Sequence, residues 1–193
     1  MNLDNQYWNN RYLENEFSWD LGEISEPLKN YFDQLTDKNL KILIPGAGNA
    51  HEAEYLFNKD FKNIYVLDFA EEPIHLFKKR NPLFNDEHLI CENFFDHKGQ
   101  YDLIIEQTFF CAINPELRKK YAEHMHQLLK PKAKLVGLLF NDILNTDHPP
   151  FGGNKTEYLP YFENLFKFNT FEPAYNSIKP RADRELFINF EKA

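Results

Sequence analysis

The run Lys41-Ile-Leu-Ile-Pro-Gly-Ala-Gly-Asn-Ala-His-Glu52 decides the fold. Ile42, Leu43 and Ile44 have the unbroken apolar character of a strand buried on both faces. Pro45, Gly46 and Gly48 make a turn, and a helix-like pattern begins near Asn49. A second apolar run, Ile64-Tyr-Val-Leu67, ends in Asp68, with Phe69 behind it. Strand, glycine turn, helix, strand and acid form the unit that holds an adenosine-containing cofactor. Glycines let backbone approach the ligand, and the acid accepts hydrogen bonds from ribose hydroxyls. The third glycine of the dinucleotide fingerprint is absent, and His51 stands in its place. A turn with no pyrophosphate to cradle tolerates that change. The departure therefore points away from NAD and towards S-adenosylmethionine (SAM), an adenosine without phosphate.

The rest of the chain fits one α/β domain around this unit. Its 193 residues suffice for a single core. A formal net charge of -8 disfavours a nucleic-acid partner, whose phosphates would be repelled. The dense basic runs, Lys78-Lys79-Arg80 and Arg118-Lys119-Lys120, read as solvated helix faces. Cys91 and Cys111 are far apart and read as free thiols in a reducing compartment. The polar start is no signal peptide, and no apolar run is long enough to span a bilayer, so a cytoplasmic location is expected. His124 and His126 point to different helix faces, so no metal site is assigned.

Helices are predicted over Asn5–Glu14, Glu26–Leu35, Glu71–Lys79, Pro115–Leu129 and Thr156–Leu165, and strands over Glu87–Cys91, Tyr101–Glu106, Lys134–Phe140, Phe168–Phe171 and Leu186–Phe190. Alternating strands and helices give a mainly parallel sheet with helices on both faces. The last two strands lack a helix between them and are expected as an antiparallel pair at one edge.

In such sheets ligands bind beyond the carboxyl ends of the strands. That rule nominates Asn93 for the adenine edge and Phe94 for its face. It also places Glu106 and Gln107 beneath the methionine part and the transferred methyl. Trp8, Tyr12 and Trp19 precede the first strand. Aromatic faces stabilise a sulfonium cation by roughly 0.5–2 kcal/mol per contact, and a cover that excludes water strips solvent from an anionic nucleophile.

Ile44-Pro-Gly-Ala-Gly-Asn-Ala-His-Glu52, Val66-Leu-Asp-Phe-Ala70 and Thr108-Phe-Phe-Cys-Ala-Ile-Asn-Pro115 resemble the thiopurine S-methyltransferase family of SAM-dependent methyltransferases. Arg118-Lys-Lys-Tyr-Ala122, His148-Pro-Pro-Phe-Gly152 and the Trp8–Gly22 region continue the likeness over nearly the whole chain. Within the family, Glu106-Gln-Thr-Phe-Phe-Cys-Ala looks closer to the branch that methylates halides and small thiols. The thiopurine branch carries an arginine where Gln107 stands.

The resemblance implies a seven-stranded Rossmann-like methyltransferase fold over a single domain, 1–193, with 1–36 as a helical cover. It implies that Asp68, with Phe69 beside it, holds the ribose, and that Pro45, Gly46 and Gly48 line the methionine part. Trp8, Tyr12 and Trp19 would cover the sulfonium, with Asn93 and Phe94 flanking adenine. Tyr158 and Arg181 are the candidates for orienting the substrate. The expected acceptor is a small thiol, hydrosulfide, thiocyanate or halide, taken by a monomer or weak homodimer with no nucleic-acid or membrane partner. The alternatives are a thiopurine or aromatic-thiol acceptor, an NAD-dependent oxidoreductase, and a SAM-binding protein without activity.

Overall fold

A computed structural model describes residues 2–193. The chain divides into two compact units, Asn2–His97 and Lys98–Ala193. Its strands follow the order β3-β2-β1-β4-β5-β7-β6 in one seven-stranded sheet.

The first unit carries α1 (Asn5–Leu13), α2 (Glu26–Asp33), β1 (Lys41–Pro45), α3 (His51–Asn58), β2 (Asn63–Asp68), α4 (Glu71–Arg80) and β3 (Leu89–Cys91). The apolar run of β1 pairs in parallel with β2, Lys41 opposite Asn63 through Pro45 opposite Leu67. β2 pairs in parallel with β3, Val66 opposite Leu89 through Asp68 opposite Cys91. Ile42, Leu43 and Ile44 are all buried, as a strand covered on both faces requires. α1 starts where the Asp4 carboxylate accepts the Tyr7 N–H at 2.9 Å, satisfying one of the free amides of the first turn. α2 has Pro27 in its first turn and buries Leu28, Tyr31 and Phe32 on one face. Lys78, Lys79 and Arg80 lie in the last turn of α4, where positive charge complements the helix dipole.

The second unit carries β4 (Tyr101–Gln107), α5 (Arg118–Leu128), β5 (Leu129–Phe140), α6 (Lys155–Phe162), β6 (Phe166–Pro173) and β7 (Glu185–Lys192). β4 and β5 are parallel, while β7 runs antiparallel to both β5 and β6. The antiparallel edge pair read from the sequence is therefore present, with β7 placed inside β6. β5 starts five residues before the predicted strand. Lys130-Pro-Lys132 broke the apolar pattern, and the structure absorbs it as an irregularity: Tyr101 opposes Leu129 but Leu103 opposes Lys134. The helix predicted from Pro115 opens as a 3-10 turn, Pro115–Leu117, before α5. Phe110, Tyr121, Tyr158, Phe162, Phe166, Phe171 and Phe190 build an aromatic core in this unit.

Candidate active site

β1 leads directly into a turn whose backbone is left-handed three times in five residues: Gly46 (φ +57°), Gly48 (φ +53°) and Ala50 (φ +53°). Glycine adopts that region without penalty, which explains both glycines. α3 then begins at His51. Asp68, at the end of β2, joins the turn. Its Oδ2 accepts the Gly48 N–H at 2.8 Å, and its Oδ1 accepts the Ala70 N–H at 2.9 Å. Burial pushes the pKa of Asp68 up, against the pull of hydrogen bonds from the Ala70, Gly48 and Phe69 amides. A carboxylate has about four lone-pair sites, so the group keeps acceptor capacity beyond these donors.

The N-terminal aromatics gather at the same turn. Trp8 meets Trp19 edge-on at 5.7 Å, Trp19 meets Tyr12 at 6.1 Å, and Tyr12 stacks on Phe17 at 5.4 Å. A Cβ added to Gly48 would stand 2.5 Å from the Tyr12 hydroxyl oxygen, so glycine is what admits that phenol. α1 is tied down by Asn5, which donates to the Phe69 carbonyl, and by Asn9, whose side-chain oxygen accepts the Glu72 N–H at 2.9 Å. Asp20, next to Trp19, accepts from His51, from Asn49 and from the Gly22 N–H. Burial opposes its charge, but those hydrogen bonds and the His51 charge carry its pKa down to about 2.

Asn93 and Phe94 follow β3, where the Glu92 N–H donates to the Asp68 carbonyl at 3.1 Å. The Asn93 side-chain oxygen accepts the Phe95 N–H at 3.1 Å and so starts the 3-10 turn Phe94–Asp96. Phe94 is buried in the core.

In the second unit the carboxyl end of β4 is organised by Glu106, which is 0% exposed. Its Oε1 accepts the N–H groups of Phe109 and Phe110 at 2.8 and 3.0 Å, and its Oε2 accepts the Tyr121 hydroxyl. Gly137 lies opposite Glu106 in β5, and a Cβ there would stand 2.2 Å from the Glu106 carbonyl oxygen. The turn that Glu106 fastens holds Thr108 at φ +58°, an uncommon conformation for a β-branched residue. Beside it, half-buried Gln107 has a side-chain oxygen that is buried without a hydrogen-bond partner. Cys111 donates to the Thr108 carbonyl at 3.3 Å. Burial, then Glu106, pushes its thiol up to about 12 against Arg181 and Arg118, so it stays protonated and is no nucleophile.

Tyr158 is buried, with its ring edge-on to Phe110 at 5.2 Å. A Cβ on Gly153 (φ +149°) would stand 2.5 Å from that ring. Burial holds the Tyr158 hydroxyl well above its ordinary pKa, which leaves it a hydrogen-bond donor. Arg181 is also buried. Its guanidinium donates to Glu185 at 3.2 Å and lies 5.4 Å from the centre of the Phe140 ring, while Ser177 donates to the other Glu185 oxygen at 2.7 Å.

Arg118 departs from the sequence reading. It is not on a solvated face: it is 5% exposed and donates to the Phe151 and Gly152 carbonyls at 3.2 and 3.0 Å. Its guanidinium also lies 4.7 Å from the centre of the Phe110 ring and 5.3 Å from that of Tyr158. It thereby fastens the Pro-Pro-Phe loop to the start of α5. A basic triplet on a helix gave no signal that its first member points inward. Asp20 was missed as well, although its position between Trp19 and Gly22 was the available clue.

Residues 3–191 match the family described as thiopurine S-methyltransferase. Probable thiol methyltransferase 2 of Arabidopsis thaliana is 28% identical over 156 residues, 78% of this chain and 69% of that protein. Thiocyanate methyltransferase 1 of the same plant is 26% identical over 197 residues, covering 96% and 84%. The crystal structure of the Burkholderia thailandensis 1,6-didemethyltoxoflavin-N1-methyltransferase, bound to 1,6-didemethyltoxoflavin and S-adenosylhomocysteine, superposes with a TM-score of 0.79 at 13% identity, over 98% of this chain and 87% of that one. With a match that runs from residue 3 to residue 191, the chain belongs to the thiopurine S-methyltransferase family.

Proposed function

We propose that this methyltransferase uses SAM to methylate the sulfur of a small thiol, or a related soft nucleophile such as hydrosulfide, thiocyanate or a halide, with residues 1–193 serving as one catalytic domain. The residues around the glycine turn fit the cofactor. Asp68 has a carboxylate with lone pairs to spare for ribose hydroxyls. Pro45, Gly46 and Gly48 offer close backbone approach to the methionine part, with Phe69 beside the ribose acid. Trp8, Tyr12 and Trp19 present aromatic faces suited to a sulfonium. Asn93 and Phe94 flank adenine, and the 1–36 segment acts as the cover. SAM supplies an electrophilic methyl group on sulfur.

The protein's part is alignment and desolvation of the acceptor. Glu106 acts by holding the Thr108–Phe110 turn, and Gln107 presents its amide there. Tyr158 orients the acceptor as a donor, and Arg181, held by Glu185, presents a fixed guanidinium. Thiols lose enough protons near neutral pH to need no dedicated base.

Gln107 carries the acceptor class. It is a neutral amide with an unpartnered buried oxygen, beside Phe109 and Phe110, where the thiopurine branch is expected to place a cation. The thiol and thiocyanate relatives support the same reading. The test compares kcat/KM for hydrosulfide, thiocyanate, iodide, thiophenol and 6-mercaptopurine, measured as S-adenosylhomocysteine released. The small acceptors should lead. Fastest turnover of 6-mercaptopurine would overturn the acceptor class and leave the methyltransferase intact.

A further inference from the structure

The histidine that replaces the third glycine of the turn reaches back to the N-terminal segment. His51 Nε2 lies 2.7 Å from Asp20 Oδ1, which also accepts the Gly22 N–H at 2.7 Å, while Asn49 donates to Asp20 Oδ2. Two residues of the turn region, Asn49 and His51, thus grip one carboxylate. That carboxylate directly follows Trp19, whose ring packs against Trp8 and Tyr12. His51 and Asp20 are both largely sheltered, with side chains 22% and 11% exposed, so the pair is screened less than a surface ion pair.

We propose that His51 and Asp20 are positioning residues for methyl transfer, forming a proton-dependent clasp that holds the Phe17–Gly22 segment and its Trp19 against the glycine turn. The proposal rests on the cofactor reading above. Protonating His51 adds the attraction of opposite charges to its hydrogen bond with ionised Asp20, an attraction that grows as water is excluded from the pair. Asp20, with a pKa of about 2, stays ionised at every pH near neutrality. The charged groups around His51 divide. Asp20 first, and Glu52 on α3, favour its protonation. Burial, and Arg80 at the end of α4, oppose it, and the net direction is upward. Arg80 is itself engaged by Glu54 at 3.3 Å and by the Asn49 carbonyl. Asp68, on β2, is committed to the Gly48 and Ala70 amides.

Both tryptophans of the chain, Trp8 and Trp19, belong to the N-terminal aromatic cluster, so tryptophan emission reports on it directly. In the free protein, emission should titrate as pH rises through the His51 pKa, and the titration should vanish in His51→Gln and in Asp20→Asn. Calorimetric affinity for S-adenosylhomocysteine should fall about fivefold over the same interval in the wild type. Neither variant should show that fall, which separates it from titration of the ligand itself. A flat wild-type emission, or the same titration in the variants, would overturn the clasp. A His51-dependent emission change with pH-independent affinity would overturn its positioning role. Absence of S-adenosylhomocysteine binding at every pH would overturn the cofactor reading and the positioning role with it, and the emission titration would then establish the clasp alone.

Discussion

Replacing Asp68 with asparagine separates what its carboxylate does for the fold from what it does for the ligand. In the structure both oxygens are engaged, with the Gly48 N–H at 2.8 Å and the Ala70 N–H at 2.9 Å. Asparagine offers one acceptor oxygen and turns an amide N–H₂ towards the second donor. A buried N–H left without an acceptor costs about 1–3 kcal/mol. Removing a buried charge, whose burial raises the Asp68 pKa, offsets part of this. The net loss of stability for Asp68→Asn should therefore stay below about 2 kcal/mol, and the fold should persist. The ligand loses more. A hydrogen bond to a charged acceptor contributes about 1.5–3 kcal/mol, against about 0.5–1.5 for a neutral one. With two ribose hydroxyls affected, affinity should fall on the order of ten- to a hundredfold. Calorimetry with S-adenosylhomocysteine measures that fall, and urea denaturation of the same samples measures stability. An unchanged Kd in a variant that remains folded would refute the ribose assignment.

Gly48→Ala should destabilise the protein by about 1–2 kcal/mol for the left-handed backbone alone, and further because its Cβ would meet the Tyr12 hydroxyl at 2.5 Å. Urea midpoints in a Tyr12→Phe background should recover the second part, and equal costs in both backgrounds would show that the phenol does not press on the turn. Arg118→Leu should cost about 2–4 kcal/mol, because two hydrogen bonds and two ring contacts are lost. Limited proteolysis should then cut within 147–153, and a loop as resistant as the wild type's would count against the tether. Stability should also follow the Asp20–His51 pair. His51 is raised in the fold, so its contribution is full below its ordinary 6.5 and is lost as pH rises through the raised value. Asp20 is lowered to about 2, so its contribution is full above 3.8 and is lost as pH falls towards 2. The stability gap between wild type and His51→Gln should thus be widest between pH 3.8 and 6.5 and should narrow above neutrality. A gap independent of pH would show that the pair carries no net charge coupling.

The sequence by itself determined the order of elements and the unit of strand, glycine turn, helix, strand and acid. Both are local. An unbroken Ile42–Ile44 run, glycines at left-handed positions and an acid twenty residues on are read without knowing what packs against them. The antiparallel pairing of β6 with β7 was legible for the same reason, since no helix intervenes to carry a parallel crossover. Only the tertiary structure decided where long side chains point. Arg118 shares its basic triplet with Lys119 and Lys120, which are both exposed, yet its guanidinium turns inward to carbonyls 33 and 34 residues away. Glu106, at the end of β4, has partners that no local pattern reveals: the Phe109 and Phe110 amides and the Tyr121 hydroxyl. His51 was read as a tolerated substitution, but its partner Asp20 lies 31 positions earlier. A residue's period and neighbours fix its backbone state, whereas the partner of a flexible polar side chain is set by segments distant in sequence, which only the folded chain brings within hydrogen-bonding reach.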